Sequence, residues 1–186
     1  MTSPSSSPSA ELLRAANFAA QRHAQQRRKG AAGEPYVNHL LEVAGMLADA
    51  TGGSDTNLLI AALLHDTVED VQVSREEIER EFGADVAGLV LEVTDDKSLP
   101  KARRKALQVE HAPHKSGRAR MLKIADKISN LRALVTSPPP DWSLERKAEY
   151  FEWASQVVAG CRGQNAALDA LFDAAHREGI AALGRG

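Results

Sequence analysis

The sequence predicts an all-α protein forming one domain, and three observations carry that reading. Apolar residues recur at three and four positions nearly throughout the chain. No run of alternating apolar and polar residues is long enough for a strand. The length of 186 residues is that of one domain, able to bury roughly 70% of its unfolded surface without staples.

Leu12, Ala15, Ala16, Ala19 and Ala20 place a first helix at about Glu11 to Arg28. Gly30 to Glu34 breaks it, and Pro35 is suited to open the next helix, which carries His39, Val43, Met46 and Leu47 on one side and ends at Thr51-Gly52-Gly53. Ser54 is the expected N-cap of a third helix containing LLIAALL, apolar on all sides and therefore central. Ser74 and Glu77 fit a capping box on a short acidic helix. Further helices are expected over Ala84–Val93, and over Lys101–Glu110 with Pro113 as its stop. A long one carries Met121, Ile124, Ile128, Leu131 and Val135 up to Pro138-Pro139-Pro140. Asp141 or Ser143 starts the next, through Val158, and the last runs from about Asn165 to His176. The Ser/Pro-rich residues 1–10 read as a disordered tail, leaving the domain to residues 11–180.

Composition removes several function classes. Lys and Arg number 23 against 25 Asp and Glu, a net charge of −2, which argues against a general nucleic-acid binder. The single cysteine, Cys161, excludes an intramolecular disulfide framework and a cysteine-based zinc site. The longest apolar stretch, Leu58 to Leu64, is too short to span a bilayer, and the first ten residues lack the features of a signal peptide. A soluble cytoplasmic protein without membrane or nucleic-acid partners is expected; monomer and homodimer both stand.

The small net charge conceals a division. Asp66 to Asp96 holds eleven acidic and two basic residues, whereas Lys101 to Lys127 holds nine basic and two acidic ones. Either these are two solvated faces, or they form a cleft with a cation-binding wall and an anion-binding wall, suited to a phosphorylated small molecule and a metal. The hexapeptide HDTVED, His65 to Asp70, follows the buried helix directly. Its acids meet the negative end of a helix dipole at the edge of a core, which calls for a cation, either a metal or Arg and Lys partners. If the helix continues, Glu69 shares a face with His65 and Asp66 and can orient or deprotonate an attacking water. His39 lies on a helix expected beside the central one; taken alone it reads as a core histidine. Asp126, within LKIADKISNLRAL, has Leu122, Ser129 and Ala133 as its neighbours along the helix, a small-residue stripe instead of a solvated face, and Asn130 points into the same space.

Together His39, His65, Asp66 and Asp126 read as H…HD…D, and the chain resembles the HD superfamily of metal-dependent phosphohydrolases. More narrowly, AANFAAQRHAQQRRK, GEPYVNH, AALLHDTVEDV, LKIADKISNLR and EYFEWASQVV resemble the small alarmone hydrolases, the stand-alone relatives of the hydrolase domain of RelA/SpoT proteins, of the metazoan SpoT homologue type. The resemblance covers about Leu12 to Arg177. It implies an all-helical HD fold and a manganese-dependent hydrolase that removes the 3′-diphosphate of (p)ppGpp, giving GDP or GTP and pyrophosphate. It also implies roles: His39, His65, Asp66 and Asp126 as ligands of one Mn²⁺, and Glu69 and Asp70 as the pair that activates the attacking water. Arg28 and Lys29 would lie against the base, Asn130 and Tyr150 against the nucleoside, and Lys101 and Arg146 on phosphates. A mixed nitrogen and oxygen set suits a six-coordinate first-row metal with two positions left for water and substrate.

On the residues alone, Arg27-Arg28-Lys29 reads as a basic helix C-terminus. Ser129 stands where relatives have bulkier residues, which implies a roomier pocket. His111 and His114 read as surface histidines, Trp142 and Trp153 as packing, and His23 and His176 carry no assigned role. Competing functions are removal of the 2′-phosphate of NADPH, a general HD nucleotidase, and a metal-stabilised nucleotide-binding module; a binder has no need of the Glu69–Asp70 pair.

Overall fold

The computed structural model describes residues 7–184, which are helical with no strand among them; one isolated antiparallel bridge joins Arg27 to Pro35. The helices are α1 (Pro8–Arg22), α2 (Val37–Thr51), α3 (Thr56–Leu64), α4 (Thr67–Val71), α5 (Arg75–Phe82), α6 (Ala84–Val93), α7 (Lys101–His111), α8 (Gly117–Thr136), α9 (Leu144–Ala159) and α10 (Ala166–Leu183), with a 3₁₀ turn at Ala112–His114. The all-round apolar α3 is the centre of the bundle. Every residue from Leu58 to Leu64 is buried, and α1, α2, α6 and α8 pack around it. Helix α10 lies along α8, and α9 closes the far side against α7 and α8. No helix among the described residues is long and apolar enough to cross a membrane.

Helix ends depart from the sequence reading where tertiary hydrogen bonds decide them. Ser7 Oγ accepts the Ala10 amide, so α1 starts at Pro8 and Pro8–Ala10 form its first turn; residues 1–6 of the expected tail lie outside the described residues. The same helix stops at Arg22, short of Arg28. Beyond Ala19 no apolar residue continues the buried stripe, and the chain folds back instead: the Arg28 amide donates to the Glu34 carbonyl at 2.9 Å and the Tyr36 amide to that of Gln26 at 3.1 Å. Arg28 and Lys29 therefore sit on a turn and not on a helix C-terminus. Helix α2 begins at Val37, two residues after Pro35, and ends on Gly52 and Gly53, both left-handed at φ 62° and 66°. The N-cap of α3 is Asp55, whose carboxylate accepts the Leu58 amide at 3.0 Å, while Ser54 Oγ turns back to the Thr51 carbonyl. Ser74 caps α5 as expected, but Glu77 pairs with Arg22. Between Asp141 and Ser143 it is Ser143 that caps α9. Helix α10 runs to Leu183, past His176.

Gly179 shows how closely α10 fits. A Cβ there would stand 2.0 Å from Cε1 of Phe151, a ring that is wholly buried and has nowhere to move. Gly88, on the exposed side of α6, has nothing within 4 Å of that position. Gly179→Ala is expected to destabilise by about 1–3 kcal/mol through overpacking. Gly88→Ala is expected to stabilise by up to about 1 kcal/mol through helix propensity. Denaturant melts of the two variants, which share the same chemical change, check both signs.

Candidate metal centre and nucleotide cavity

Three helices deliver two imidazoles and two carboxylates to one point. His39 comes from the first turn of α2, His65 and Asp66 from the end of α3, and Asp126 from the middle of α8. One donor atom each from His39, His65 and Asp126 lie within 4.8 Å of one another, the only such group among the described residues. Asp66 Oδ2 is 3.1 Å from His65 Nε2 and 3.6 Å from His39 Nε2; Asp126 Oδ1 is 4.0 Å and 3.4 Å from the same two atoms.

The far nitrogen of each imidazole is already engaged. His65 Nδ1 lies 2.7 Å from the Ala62 carbonyl, which can only accept, so Nδ1 carries the hydrogen. The Ser129 hydroxyl gives its one hydrogen to Glu42 at 2.6 Å, so it accepts from His39 Nδ1 at 2.8 Å. In the neutral form both rings would aim a bare Nε2 lone pair at two carboxylates, and the buried His65 Nε2 has no hydrogen-bond partner. Lone pairs facing carboxylates repel unless a cation stands between them. The donor set fits a divalent metal. The same demand is visible in the proton equilibria: burial lowers His65, yet the charge of Asp66 overcomes it and lifts the ring to about 9. Burial lowers His39. Burial also works against ionised Asp66 and Asp126, but His65 for the first and Lys127 for the second hold them below the usual carboxylate range.

Further contacts fix the carboxylates. Tyr36 donates its hydroxyl to Asp66 Oδ2 at 2.6 Å; Lys127 and Asn130 donate to the two oxygens of Asp126 at 2.8 Å and 2.6 Å. Asn130 thus points where the helical spacing placed it. Ser129 is buried against His39 and Glu42, so it orients a ring and does not enlarge the cavity.

The helix does not run on through HDTVED. It breaks after His65 and restarts as α4 at Thr67, which puts Glu69 and Asp70 in the first turn of a new helix, where the dipole favours acids. Asp70 accepts from Gln26 at 2.8 Å and from Lys97 at 2.5 Å; Glu69 accepts the Asp95 amide at 3.2 Å and faces Arg104 at 3.6 Å. Burial pushes the Glu69 carboxyl above the ordinary glutamate range.

Beside these groups opens a cavity of about 770 Å³. Asp66, Glu69, Asp70 and Asp95 line it together with Lys101, Arg104, Lys105, Lys123 and Lys127. The two charged segments of the sequence therefore meet in one cavity in part, while α5 keeps Glu76, Glu79 and Glu81 outside it. At the mouth, Arg28 donates to Asn130 Oδ1 at 3.2 Å with its guanidinium 5.9 Å from the Tyr36 ring. The turn carrying Arg28 and Lys29 is clamped to the end of α8: the Ala31 amide donates to the Pro138 carbonyl, the Ala32 amide donates to Ser137 Oγ, and a Cβ on Gly30 would meet the Ser137 carbonyl oxygen at 2.1 Å. Arg146 lies over Trp142, its guanidinium 4.4 Å from the ring centre, and Tyr150 stands between Trp142 and Trp153.

All twelve site residues named from the sequence converge here except that His39 and His65 sit behind the cavity wall, at the metal-binding point. Trp142 and Trp153, expected as packing alone, also line the cavity. Sequence reasoning missed Tyr36, Gln26, Lys97, Arg104, Lys123 and Lys127; only Lys127, next to Asp126, carried a signal in its spacing. His23 is buried behind the site, its Nδ1 2.5 Å from Gln26 Oε1 and its ring stacked on Tyr36. His111 lines a separate 210 Å³ hollow, and His176 is enclosed by Phe151 and Phe172.

Residues 15–150 match the HD-domain family. A Xenopus tropicalis protein named guanosine-3′,5′-bis(diphosphate) 3′-pyrophosphohydrolase MESH1 is 55% identical over 168 residues, 90% of this chain and 94% of its own. The Drosophila melanogaster protein of the same name is 48% identical over 171 residues, 92% and 96% of the two chains. A solved structure, described as a metazoan ortholog of SpoT that hydrolyzes ppGpp and plays a role in starvation responses, superimposes with a TM-score of 0.87 at 47% identity, over 96% of this chain and 98% of its own. With the family match spanning most of the helical bundle and two imidazoles and two carboxylates gathered from three of its helices, the chain belongs to the HD-domain family.

Proposed function

We propose that the protein is a divalent-metal-dependent pyrophosphohydrolase that cleaves guanosine 3′,5′-bis(diphosphate) to GDP and pyrophosphate, and the pentaphosphate to GTP and pyrophosphate. The observation that carries this reading is the meeting, in one cleft, of an electron-rich donor set, a pair of carboxylates and a wall of cations, in a chain about half identical to full-length relatives that bear that name. The substrate class is a small nucleotide. One domain is assigned to Pro8–Leu183, the span of its helices.

His39, His65, Asp66 and Asp126 would hold the ion, which we take to be Mn²⁺ because a mixed imidazole and carboxylate set suits a first-row metal. When bound, such an ion supplies Lewis acidity toward the phosphoryl group and toward water. Glu69 and Asp70 take the proton of the attacking water, whose oxygen bonds to the phosphorus on O3′ as the P–O3′ bond breaks. The same proton is what O3′ needs on leaving, so the exchange closes within the site. A carboxyl raised by burial suits Glu69 to hold a proton briefly. Lys101 and Arg146 offset the charge of the phosphates, which otherwise hinders an anionic nucleophile. Arg28 and Lys29 offer a planar guanidinium and an ammonium to the base, and Asn130 and Tyr150 border the nucleoside.

Product analysis tests this. With Mn²⁺, ppGpp is expected to yield GDP and pyrophosphate, with a chelated sample silent; orthophosphate released from NADPH, without pyrophosphate from ppGpp, would overturn the substrate. Reconstitution with Mn²⁺, Co²⁺ and Mg²⁺ in turn tests the ion, turnover being expected to return with Mn²⁺.

The roles separate by mutation. Glu69→Gln is expected to keep its metal and lose about 10²–10⁴-fold in kcat. Asp66→Ala is expected to lose both metal and turnover. Metal analysis beside steady-state kinetics checks the pair, and normal turnover in Glu69→Gln refutes the assignment.

A further inference from the structure

Most cations of the cavity are matched or lie at its rim. Lys97 is held by Asp70, Lys127 by Asp126, and Arg146 stands near Asp141. Two are neither. Lys123, one helical turn before Asp126 on α8, is only 7% exposed, and its ammonium makes no hydrogen bond or ion pair within 4 Å among the described residues. Arg104 reaches Glu69 with one terminal nitrogen at 3.6 Å, but its Nε is buried with no partner. One turn along α7, Gln108 gives its amide to Asp95 and leaves its own buried oxygen unpaired. Asp126 and Asp95 act on Lys123 only at a distance, and polar groups this incompletely satisfied are costly in a protein interior. Asp95 is the acid that faces them, and its carboxylate is engaged by Gln108.

An anion in the cavity that both side chains line would offer acceptors to both donors. A tetrahedral phosphoryl group accepts from several directions, as a planar carboxylate does not. Lys123 also stands about 4.5 Å along the helix axis from Asp126, the rise of three residues. If the reacting phosphorus lies at the metal-binding residues, the next phosphorus of a diphosphate falls beside Lys123. We infer that Arg104 and Lys123 form an anion subsite that holds the terminal phosphoryl group of the departing diphosphate, an assignment that rests on the hydrolase reading above. The outer cations Lys101 and Arg146 are then left to phosphates nearer the mouth.

The subsite makes stability and binding move in opposite directions. Lys123→Met keeps the length of the stem and removes a buried unpaired charge, so the variant is expected to melt higher than the parent. Its affinity for inorganic pyrophosphate, measured by calorimetry on Mn²⁺-loaded protein, is expected to fall by at least about tenfold. Lys123→Arg is expected to recover part of it. Arg104→Met gives the same loss if both residues serve one subsite. A lower melting temperature with unchanged pyrophosphate affinity in Lys123→Met would show a structural role and overturn the inference. The parent is assayed on ppGpp in parallel. Absence of turnover with pyrophosphate binding that depends on Lys123 would refute the hydrolase and leave the subsite standing. Normal turnover with binding indifferent to both residues would refute the subsite alone.

Discussion

The electrostatic conflict at the end of α3 organises the molecule. Two buried rings, each tied at Nδ1, present their Nε2 atoms to Asp66 and Asp126. A fold that merely sought stability would have apolar side chains there. The surrounding contacts all serve to keep the conflict in place: Tyr36 on Asp66, Lys127 and Asn130 on Asp126, and the Ser129–Glu42 relay on His39. The central apolar helix makes this possible, because only a rigid, buried α3 can deliver His65 and Asp66 at a defined depth.

Much of this was legible because it follows from period and from chemical type. The all-round apolar run marked α3 as central, and the glycine and proline stops set the ends of α2 and α8. Asp126 stood out because an acid in a small-residue stripe has no solvent to face. What escaped is what depends on contact across the fold. The early end of α1 is decided by hydrogen bonds to Glu34 and from Tyr36, eleven and more residues away from the helix that they cut short. Likewise, nothing in the run of basic residues says which of them is buried. Lys123 and Arg103 look alike in sequence, yet the first lines the cavity and the second is exposed.

The break between α3 and α4 follows from the same chemistry. One continuous helix would have stacked Glu69 over His65 and placed four acidic and imidazole groups against a negative dipole end. Restarting the helix at Thr67 gives Glu69 and Asp70 the positive end of a new one and turns them toward Lys97, Arg104 and Gln26. His65–Asp66 and Glu69–Asp70 are thereby adjacent in sequence and separate in surroundings, so each carboxylate is adjusted by its own neighbours.

The clamp between the turn at Gly30–Ala32 and the end of α8 has a mechanical meaning. The turn bears Arg28 and Lys29, and α8 bears Asp126 and Asn130, so both ends of the cavity hang from one rigid rod. The jaws cannot spread independently. The gap is set when α8 folds, so under the proposed reaction it would act as a calliper for the separation between a ligand's ring and its reactive phosphorus.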